Sequence, residues 1–299
     1  MAATQSLARD FPVRRAESFW RRVAWRRFRA NGVAVVSAAF LLAMYAVAAL
    51  GPLLSPYGPN SVDIMSANAL PSPAHWLGTD ENGRDVLSRL IAGARTSMAV
   101  GLIAMVIAIV IGALIGSLSG YLGGVVDSAL MRFTDGMMAI PYFFLVLIVV
   151  AVFGSSFRNI VIVIGVTSWM VVARIVRSEV LRYRDLDFVL AARALGATSG
   201  RTLVRHIMPQ TVPSIIVAAT FGVANAILLE SALSYLGLGI QPPQATWGNM
   251  LSNAQAYVWE NPLLPVYPGL LILCTVLAYN FLGDALRDAL DPRYREGGK

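Results

Sequence analysis

Residues 97–121 read SMAVGLIAMVIAIVIGALIGSLSGY and carry no charged side chain. A helix needs about 20 mostly apolar residues to cross the hydrocarbon core of a bilayer, so this run is long enough to span one. Its glycines Gly101, Gly112, Gly116 and Gly120 include small-xxx-small spacings, which are typical of helices in close contact. The stretch therefore predicts a membrane-spanning helix that packs tightly against its neighbours.

The composition of the whole chain agrees with this interpretation. Of its 299 residues, 57% are hydrophobic and 14% are charged, and the mean hydropathy is +0.63. A soluble domain carries about 25% charged residues, so lipid is the expected main solvent. The single cysteine, Cys274, excludes a disulfide within the chain. These numbers indicate an integral membrane protein.

Uncharged and nearly uncharged stretches map the predicted spans. The stretch 231–259 contains prolines, asparagines and glutamines that are too polar for a lipid-facing helix, so we expect an external loop with a short helix there. We therefore predict an all-α integral membrane fold with six transmembrane helices, at 32–54, 97–121, 136–154, 159–178, 208–236 and 265–283.

Arginine placement predicts the orientation. Of the 24 basic residues, all but Arg84, Arg89, Arg95 and Arg158 lie before the first span, between the second and third, near the end of the fourth and in the loop after it, or after the sixth. Because cytoplasmic loops carry an excess of Lys and Arg, both termini are expected in the cytoplasm. The same placement argues against a nucleic-acid partner, since no base-stacking aromatic motif accompanies these residues.

The residues before the first span combine aromatic and basic side chains. Phe19, Trp20, Val23 and Phe28 stand among arginines, a pattern typical of a helix that lies on membrane lipid in the cytoplasmic interface. A solvated basic tail is the alternative. We divide the chain into a tail with an elbow helix (1–31), a first span with its external loop (32–96), a five-span core (97–290) and a cytoplasmic tail (291–299).

The first external loop carries several potential metal ligands. His75 could be combined with Asp80, Glu81 and Asp85, but their spacing fits no compact ligand pattern, and the carboxylates are equally good helix caps. We therefore predict no metal site in this chain and no catalytic residue. Apolar residues after Asp85 recur at helical spacing, which predicts an amphipathic helix on the outer surface.

The cytoplasmic segment between the fourth and fifth spans predicts a pair of short helices at about 187–206. Asp187 is a good N-cap, and Gly196 suits the left-handed position that ends a helix. Thr198 or Ser199 can cap a second helix, and Pro209 opens the next span. An apolar stripe on the first helix could enter a groove of another protein; it comprises Phe188, Val189, Ala192 and Leu195. The alternative is an ordinary loop that packs on its own bundle.

These motifs resemble those of binding-protein-dependent ABC importer permeases. The E-A-A…G signature of that family is matched by Leu190-Ala191-Ala192, Gly196 and His206-Ile207-Met208-Pro209. From about residue 25 to 295, the chain looks like the C-type permease subunits of dipeptide and oligopeptide (peptide/nickel-type) importers. The motifs that carry this second resemblance are Leu77-Gly78-Thr79-Asp80, Gly83-Arg84-Asp85-Val86-Leu87-Ser88-Arg89, Gly120-Tyr121-Leu122-Gly123-Gly124, Ser234-Tyr235-Leu236-Gly237-Leu238-Gly239, Trp247-Gly248 and Leu282-Gly283-Asp284.

The resemblance implies a pore subunit of the bacterial inner membrane that imports peptides or related solutes. Its partners would be a homologous B-type permease, two cytoplasmic ATPase subunits or one fused ATPase, and an external substrate-binding protein. The chain lacks the phosphate-binding G-x-x-x-x-G-K-[ST] pattern, so ATP and Mg would be bound by the partners and not as cofactors here. The implied ATPase-coupling residues are Asp187, Leu190, Ala191, Ala192, Arg193, Gly196, His206 and Pro209.

One position departs from the family signature. The acidic residue that begins the signature is Leu190 in this chain. A carboxylate there could form a charged contact with an ATPase arginine, so docking is expected to depend more on apolar fit and on Arg193.

Two polar residues in the fifth span are candidates for the translocation path. Glu230 could face the pore and attract a peptide's amino terminus, or it could bond Ser231 and Ser234 as a structural residue, which we favour. Asn225 is the second path candidate. An ion-coupled secondary transporter is the alternative function, but the spans show no clear proton relay or internal repeat.

Overall fold

A computed structural model describes residues 25–290 of the chain. Residues 25–30 are helical, and the predicted elbow helix otherwise lies outside the described residues. A 3-10 turn covers Ile64–Ser66. The helices that follow are α1 (Gly32–Leu54), α2 (Val86–Leu122), α3 (Gly124–Met138), α4 (Tyr142–Phe153), α5 (Phe157–Tyr183), α6 (Asp187–Ala194), α7 (Ser199–Tyr235), α8 (Trp247–Gln255) and α9 (Leu263–Leu290).

The all-α membrane architecture is confirmed. Helices α1, α2, α5, α7 and α9 are each long and apolar enough to cross a membrane, and α3 with α4 makes a sixth span if the bent pair is counted as one. Trp247–Gln255 supplies the short helix that we expected in the polar loop. In this loop Thr246 caps α8, and the Asn249 side chain reciprocates, which fixes the start of the helix.

The third predicted span is not one straight helix. It breaks between Met138 and Tyr142, and the two parts are bent by 82°. Pro141 stands at the break and is the N-cap of α4. Proline has no N–H to donate and disfavours helical geometry at the residue before it, which is Ile140 here. The predicted span at 136–154 is therefore interrupted by this break, and it counts as a sixth span only as part of the bent pair.

Two short helices that the sequence analysis separated from the neighbouring spans are continuous with those spans. The amphipathic helix after Asp85 and the second span are one helix, α2, of 37 residues. The second cytoplasmic helix and the fifth span are likewise one helix, α7, which contains a π-helical turn at Thr202–Ile207. Polar ends of spans extend as helix beyond the bilayer, so an uncharged run marks only the part of a helix that crosses hydrocarbon.

The packing of α2 against α5 forms the centre of the bundle. Gly112, Gly116 and Gly120 face α5 so closely that a Cβ at Gly112 would lie 2.6 Å from the Cβ of Val172, and one at Gly120 would lie 2.9 Å from the carbonyl oxygen of Arg177. Gly101 is pressed against α7 in the same way. The small-residue spacing in the sequence was therefore correctly interpreted as helix packing.

Polar contacts join the outer helices to each other and to this centre. The Tyr45 hydroxyl of α1 and the Tyr279 hydroxyl of α9 are 2.5 Å apart. Arg177 of α5 donates to both carboxylate oxygens of Asp127 in α3, at 2.5 and 2.6 Å. Bidentate arginine–carboxylate pairs are strong and directional, so this pair stabilises the orientation of α3 relative to the end of α2.

Candidate functional site

Helix α6 lies at the end of the bundle where α2 and α9 end and α7 begins. It ends as the sequence predicted: Gly196 has a φ of +86°, and the amide N–H groups of Gly196 and Ala197 donate to the carbonyls of Arg193 and Ala192. This is a glycine C-cap, which satisfies carbonyls that have no partner in the helix. The start of α6 differs from the prediction that Asp187 is the N-cap. Leu186 is the N-cap, Asp187 is the first residue of the helix, and no side chain caps this end.

The predicted apolar stripe of α6 is split between two faces. Val189 is fully buried and belongs to the main core, so it anchors the helix on its own bundle. Phe188 and Leu195 of the stripe are 42% and 90% exposed, and Leu190, which lies outside the predicted stripe, is 47% exposed. We call these three residues the α6 surface. The helix therefore packs on its own bundle through Val189, while docking of its exposed residues in another protein stays a prediction.

Arg193 also contacts its own chain. Its guanidinium carbon lies 5.3 Å from the centroid of the Tyr121 ring, at the end of α2. Arg184, just before α6, donates to the carbonyl of Gly120 at 2.9 Å. These two contacts hold α6 against the end of α2. The remaining predicted coupling residues differ in burial: Ala191 is exposed, Ala192 and His206 are half-buried, and Pro209 is exposed on α7.

A cavity of about 1350 Å³ opens between α5, α7 and the break that separates α3 from α4. Four methionines line it: Met105, Met137, Met138 and Met170. Its lining also includes Asn225 and a hydroxyl pair, Tyr142 with Ser168, whose oxygens are 2.7 Å apart. Asn225, a predicted path residue, therefore faces an open space large enough for a small solute.

The end of the cavity nearest α6 is charged. Glu179 and Arg182 from α5 and Arg287 from α9 line it. Glu179 accepts a hydrogen bond of 2.8 Å from Ser214 of α7 and lies 3.7 Å from Arg182. The Arg287 guanidinium lies 5.8 Å from the centroid of the Phe221 ring, which keeps it at the wall. This end of the cavity therefore offers both signs of charge.

Glu230, the other predicted path residue, does not line this cavity. Its side chain is fully buried and accepts hydrogen bonds from Ser234 at 2.7 Å and from Ser97 of α2 at 3.2 Å. The Ser97 hydroxyl in turn accepts from the backbone N–H of Trp247. Glu230 thus joins α7, α2 and α8 as a structural residue, although the Ser231 hydroxyl that we expected to bond it has no partner.

The four residues considered for metal binding in the loop before α2 are engaged with each other and with arginines. Asp85 caps α2 by accepting from the Ser88 N–H at 2.8 Å, and His75 Nδ1 lies 2.9 Å from Asp85. Asp80 and Glu81 both pair with Arg84, at 2.7 and 2.8 Å. Across residues 25–290, no group of three or more His, Cys, Asp or Glu residues could hold a metal ion.

Sequence analysis did not identify Glu179, Ser214 or Arg287 as functional candidates. A signal for Glu179 exists, because it is the only acidic residue between Asp135 and Asp185. Its position at the end of the fourth span resembled an ordinary interface charge. Only the fold brings α9 close enough to place Arg287 on the same cavity wall.

Comparison with known proteins gives consistent matches. Residues 109–296 match the family described as binding-protein-dependent transport system inner membrane component, and residues 18–71 match the N-terminal TM domain of oligopeptide transport permease C. The glutathione transport system permease protein GsiD of Salmonella typhimurium is 42% identical over 295 residues, covering 97% of each chain. The GsiD protein of Pectobacterium atrosepticum is 40% identical over 296 residues, covering 99% of this chain and 97% of its own.

A solved structure supports the fold. A chain of the MetNI methionine ABC transporter, in an inward-facing conformation, superposes with a TM-score of 0.56 at 18% identity. The match covers 69% of this chain and 97% of the MetNI chain. At this identity the likeness concerns the arrangement of helices alone.

Proposed function

Because the chain belongs to the family of binding-protein-dependent transport system inner membrane components, we propose that it is the C-type pore subunit of an ATP-driven importer. The importer would carry di- or oligopeptides, or related small solutes, from an external binding protein into the cytoplasm. One observation supports this most directly: helices α5 and α7 line the cavity, and the short chain between them carries the exposed α6 surface.

The geometry suggests how ATP hydrolysis in a partner would reach the cavity. The α6 surface would enter a groove of an ATPase subunit, where an apolar helix face can bury its side chains. Val189 and the Arg193–Tyr121 contact join α6 firmly to the bundle. A displacement of α6 would then tilt α5 and α7, and the cavity would alternate between inward-open and outward-open arrangements.

The expected partners are those that the family resemblance implies. A homologous B-type permease would complete the path, because the cavity of one chain is not enclosed. Two ATPase subunits, or one fused ATPase, would bind ATP and Mg. The concentration of arginines near α6 favours a cytoplasmic position for this end and for both termini.

The proposed solutes come from the relatives. The two GsiD proteins are named for glutathione transport, and the match at residues 18–71 is named for oligopeptide transport. Glutathione is itself a small peptide, so both names describe one chemical class. Family membership also favours ATP-driven import over the ion-coupled alternative.

Reconstitution tests the proposal. The chain is co-expressed with its B-type permease and ATPase partners, and the complex is placed in proteoliposomes with the cognate binding protein. We expect uptake of radiolabelled glutathione or dialanine that requires both ATP and the binding protein. Uptake that follows an ion gradient without ATP would contradict the proposal and support the secondary transporter.

A further inference from the structure

The cavity contains one carboxylate among its described lining residues, and that carboxylate is Glu179. The Glu179 side chain is 18% exposed, so it is largely withdrawn from solvent but still reachable from the cavity. It lies at the end of the cavity nearest α6, which is the end through which an imported solute would leave. A charge in this position meets every solute that follows the path.

The partners of Glu179 leave part of its binding capacity free. One oxygen accepts from the Ser214 hydroxyl at 2.8 Å. The other lies 3.7 Å from a guanidinium nitrogen of Arg182, which is beyond hydrogen-bond distance. The Arg182 side chain is 53% exposed, and exposed ion pairs contribute little. An ammonium group in the cavity could therefore approach this oxygen without displacing a strong partner.

We propose that Glu179 binds the free ammonium group of the solute at the cytoplasmic end of the translocation path. The solute class is a small zwitterion with a primary amine, and this inference rests on the proposed import function. Arg182 and Arg287 line the same end and suit the carboxylate of such a solute. The four methionines of the cavity wall adapt to varied shapes, so they accept solutes with different side chains.

A metal ion is a poorer occupant of this position. Hard cations such as Ca²⁺ and Mg²⁺ need several oxygen ligands, and the described cavity wall offers one carboxylate. A single carboxylate with one free oxygen suits an organic ammonium group, which brings its own three donors.

A purely structural role for Glu179 is the main competing explanation, because its bond to Ser214 joins α5 to α7. Three substitutions separate the two roles. Glu179→Gln removes the charge but keeps an acceptor for Ser214. Ser214→Ala removes the bond but keeps the charge. Asp135→Asn makes the same charge change at a half-exposed carboxylate that pairs with Arg174 and does not line the cavity.

The test measures binding to the complete permease–ATPase complex in nanodiscs, without nucleotide and without the binding protein. The probes are dialanine, which has a free ammonium group, and N-acetyl-dialanine, in which an uncharged acetamide takes its place. A hydrogen bond to a charged group of this kind is worth about tenfold in affinity. We expect Glu179→Gln to weaken dialanine binding about tenfold and to leave the acetylated probe unchanged. Ser214→Ala and Asp135→Asn should keep the preference for dialanine.

Several outcomes would overturn the inference. These are an unchanged affinity in Glu179→Gln, an equal loss for both probes, or the same loss in Ser214→Ala. If the wild-type complex imports peptides but does not prefer dialanine, the inference fails and the proposed function stands. If the wild-type complex imports no peptide or glutathione at all, the proposed function fails and the inference fails with it.

Discussion

Ser214 of α7 donates a hydrogen bond of 2.8 Å to Glu179 of α5, although the two residues are 35 positions apart in the chain. The residues between them include the whole of α6. The bond therefore closes a loop that carries the exposed α6 surface at its tip and the cavity wall at its base. In the proposed function this loop is the element that transmits movement from the ATPase to the path.

The first prediction concerns the most exposed residue of the α6 surface. Leu195→Asp places a charge where we expect an apolar groove, and loss of a central contact of this kind costs about 2 kcal/mol or more. We expect coupled transport in proteoliposomes to fall by at least about tenfold, with the complex still folded. Val125→Asp is the matched control, because Val125 is 85% exposed at the start of α3. Equal effects of the two substitutions would contradict a specific role for α6.

The second prediction concerns Arg193. Arg193→Glu reverses the charge next to the α6 surface, and we expect it to uncouple ATP hydrolysis from transport while the membrane fold stays intact. The substitution also removes the contact with Tyr121, worth about 0.5–1 kcal/mol. Tyr121→Leu removes that contact alone and should have the smaller effect. The ratio of solute imported to ATP hydrolysed is the measurement. An equal loss in Tyr121→Leu would mean that Arg193 only positions α6.

The third prediction concerns the packing of α2 on α5. A Cβ at Gly116 would press into the Ala173 carbonyl, whereas one at Gly269 of α9 meets no atom within 4 Å. Gly116→Ala should therefore destabilise the fold by about 1–3 kcal/mol, and Gly269→Ala should be tolerated. Thermal unfolding of the detergent-solubilised chain measures both. Similar unfolding temperatures for the two variants would contradict the close approach of the helices.

Most of the spans and the close packing of α2 could be predicted because both depend on local pattern. An apolar run shows which part of a helix lies in the lipid, and regularly spaced glycines show which face of the helix packs closely against a neighbouring helix. The two faces of α6 could not be separated in this way, since the burial of Val189 depends on how α6 rests against the end of α2. The role of Glu230 was also ambiguous, because its partner Ser97 is 133 positions away.

The fourth prediction follows from those buried contacts. Glu230→Ala leaves the Ser97 and Ser234 hydroxyls without their acceptor and creates a cavity in the core, so it should destabilise the fold by a few kcal/mol, about 2–4. Glu230→Gln retains an acceptor and should lose less. Chemical denaturation in detergent gives the comparison. If the folded Glu230→Gln variant instead changed solute preference, Glu230 would belong to the path after all.

The last prediction concerns the glycine that ends α6. Gly196 has a φ of +86°, and a Cβ there would meet no atom within 4 Å, so the constraint is conformational and not steric crowding by neighbours. Alanine in the left-handed region costs about 1–2 kcal/mol, which Gly196→Ala could escape by altering the turn and shifting the α6 surface. We therefore expect less solute imported per ATP hydrolysed, with little change in unfolding temperature, because α6 is a peripheral helix. Gly200→Ala is the control: Gly200 also meets no atom within 4 Å, has an ordinary helical φ, and should favour alanine. If both variants transport as well as the wild type, the coupling does not depend on a fixed position of the α6 surface.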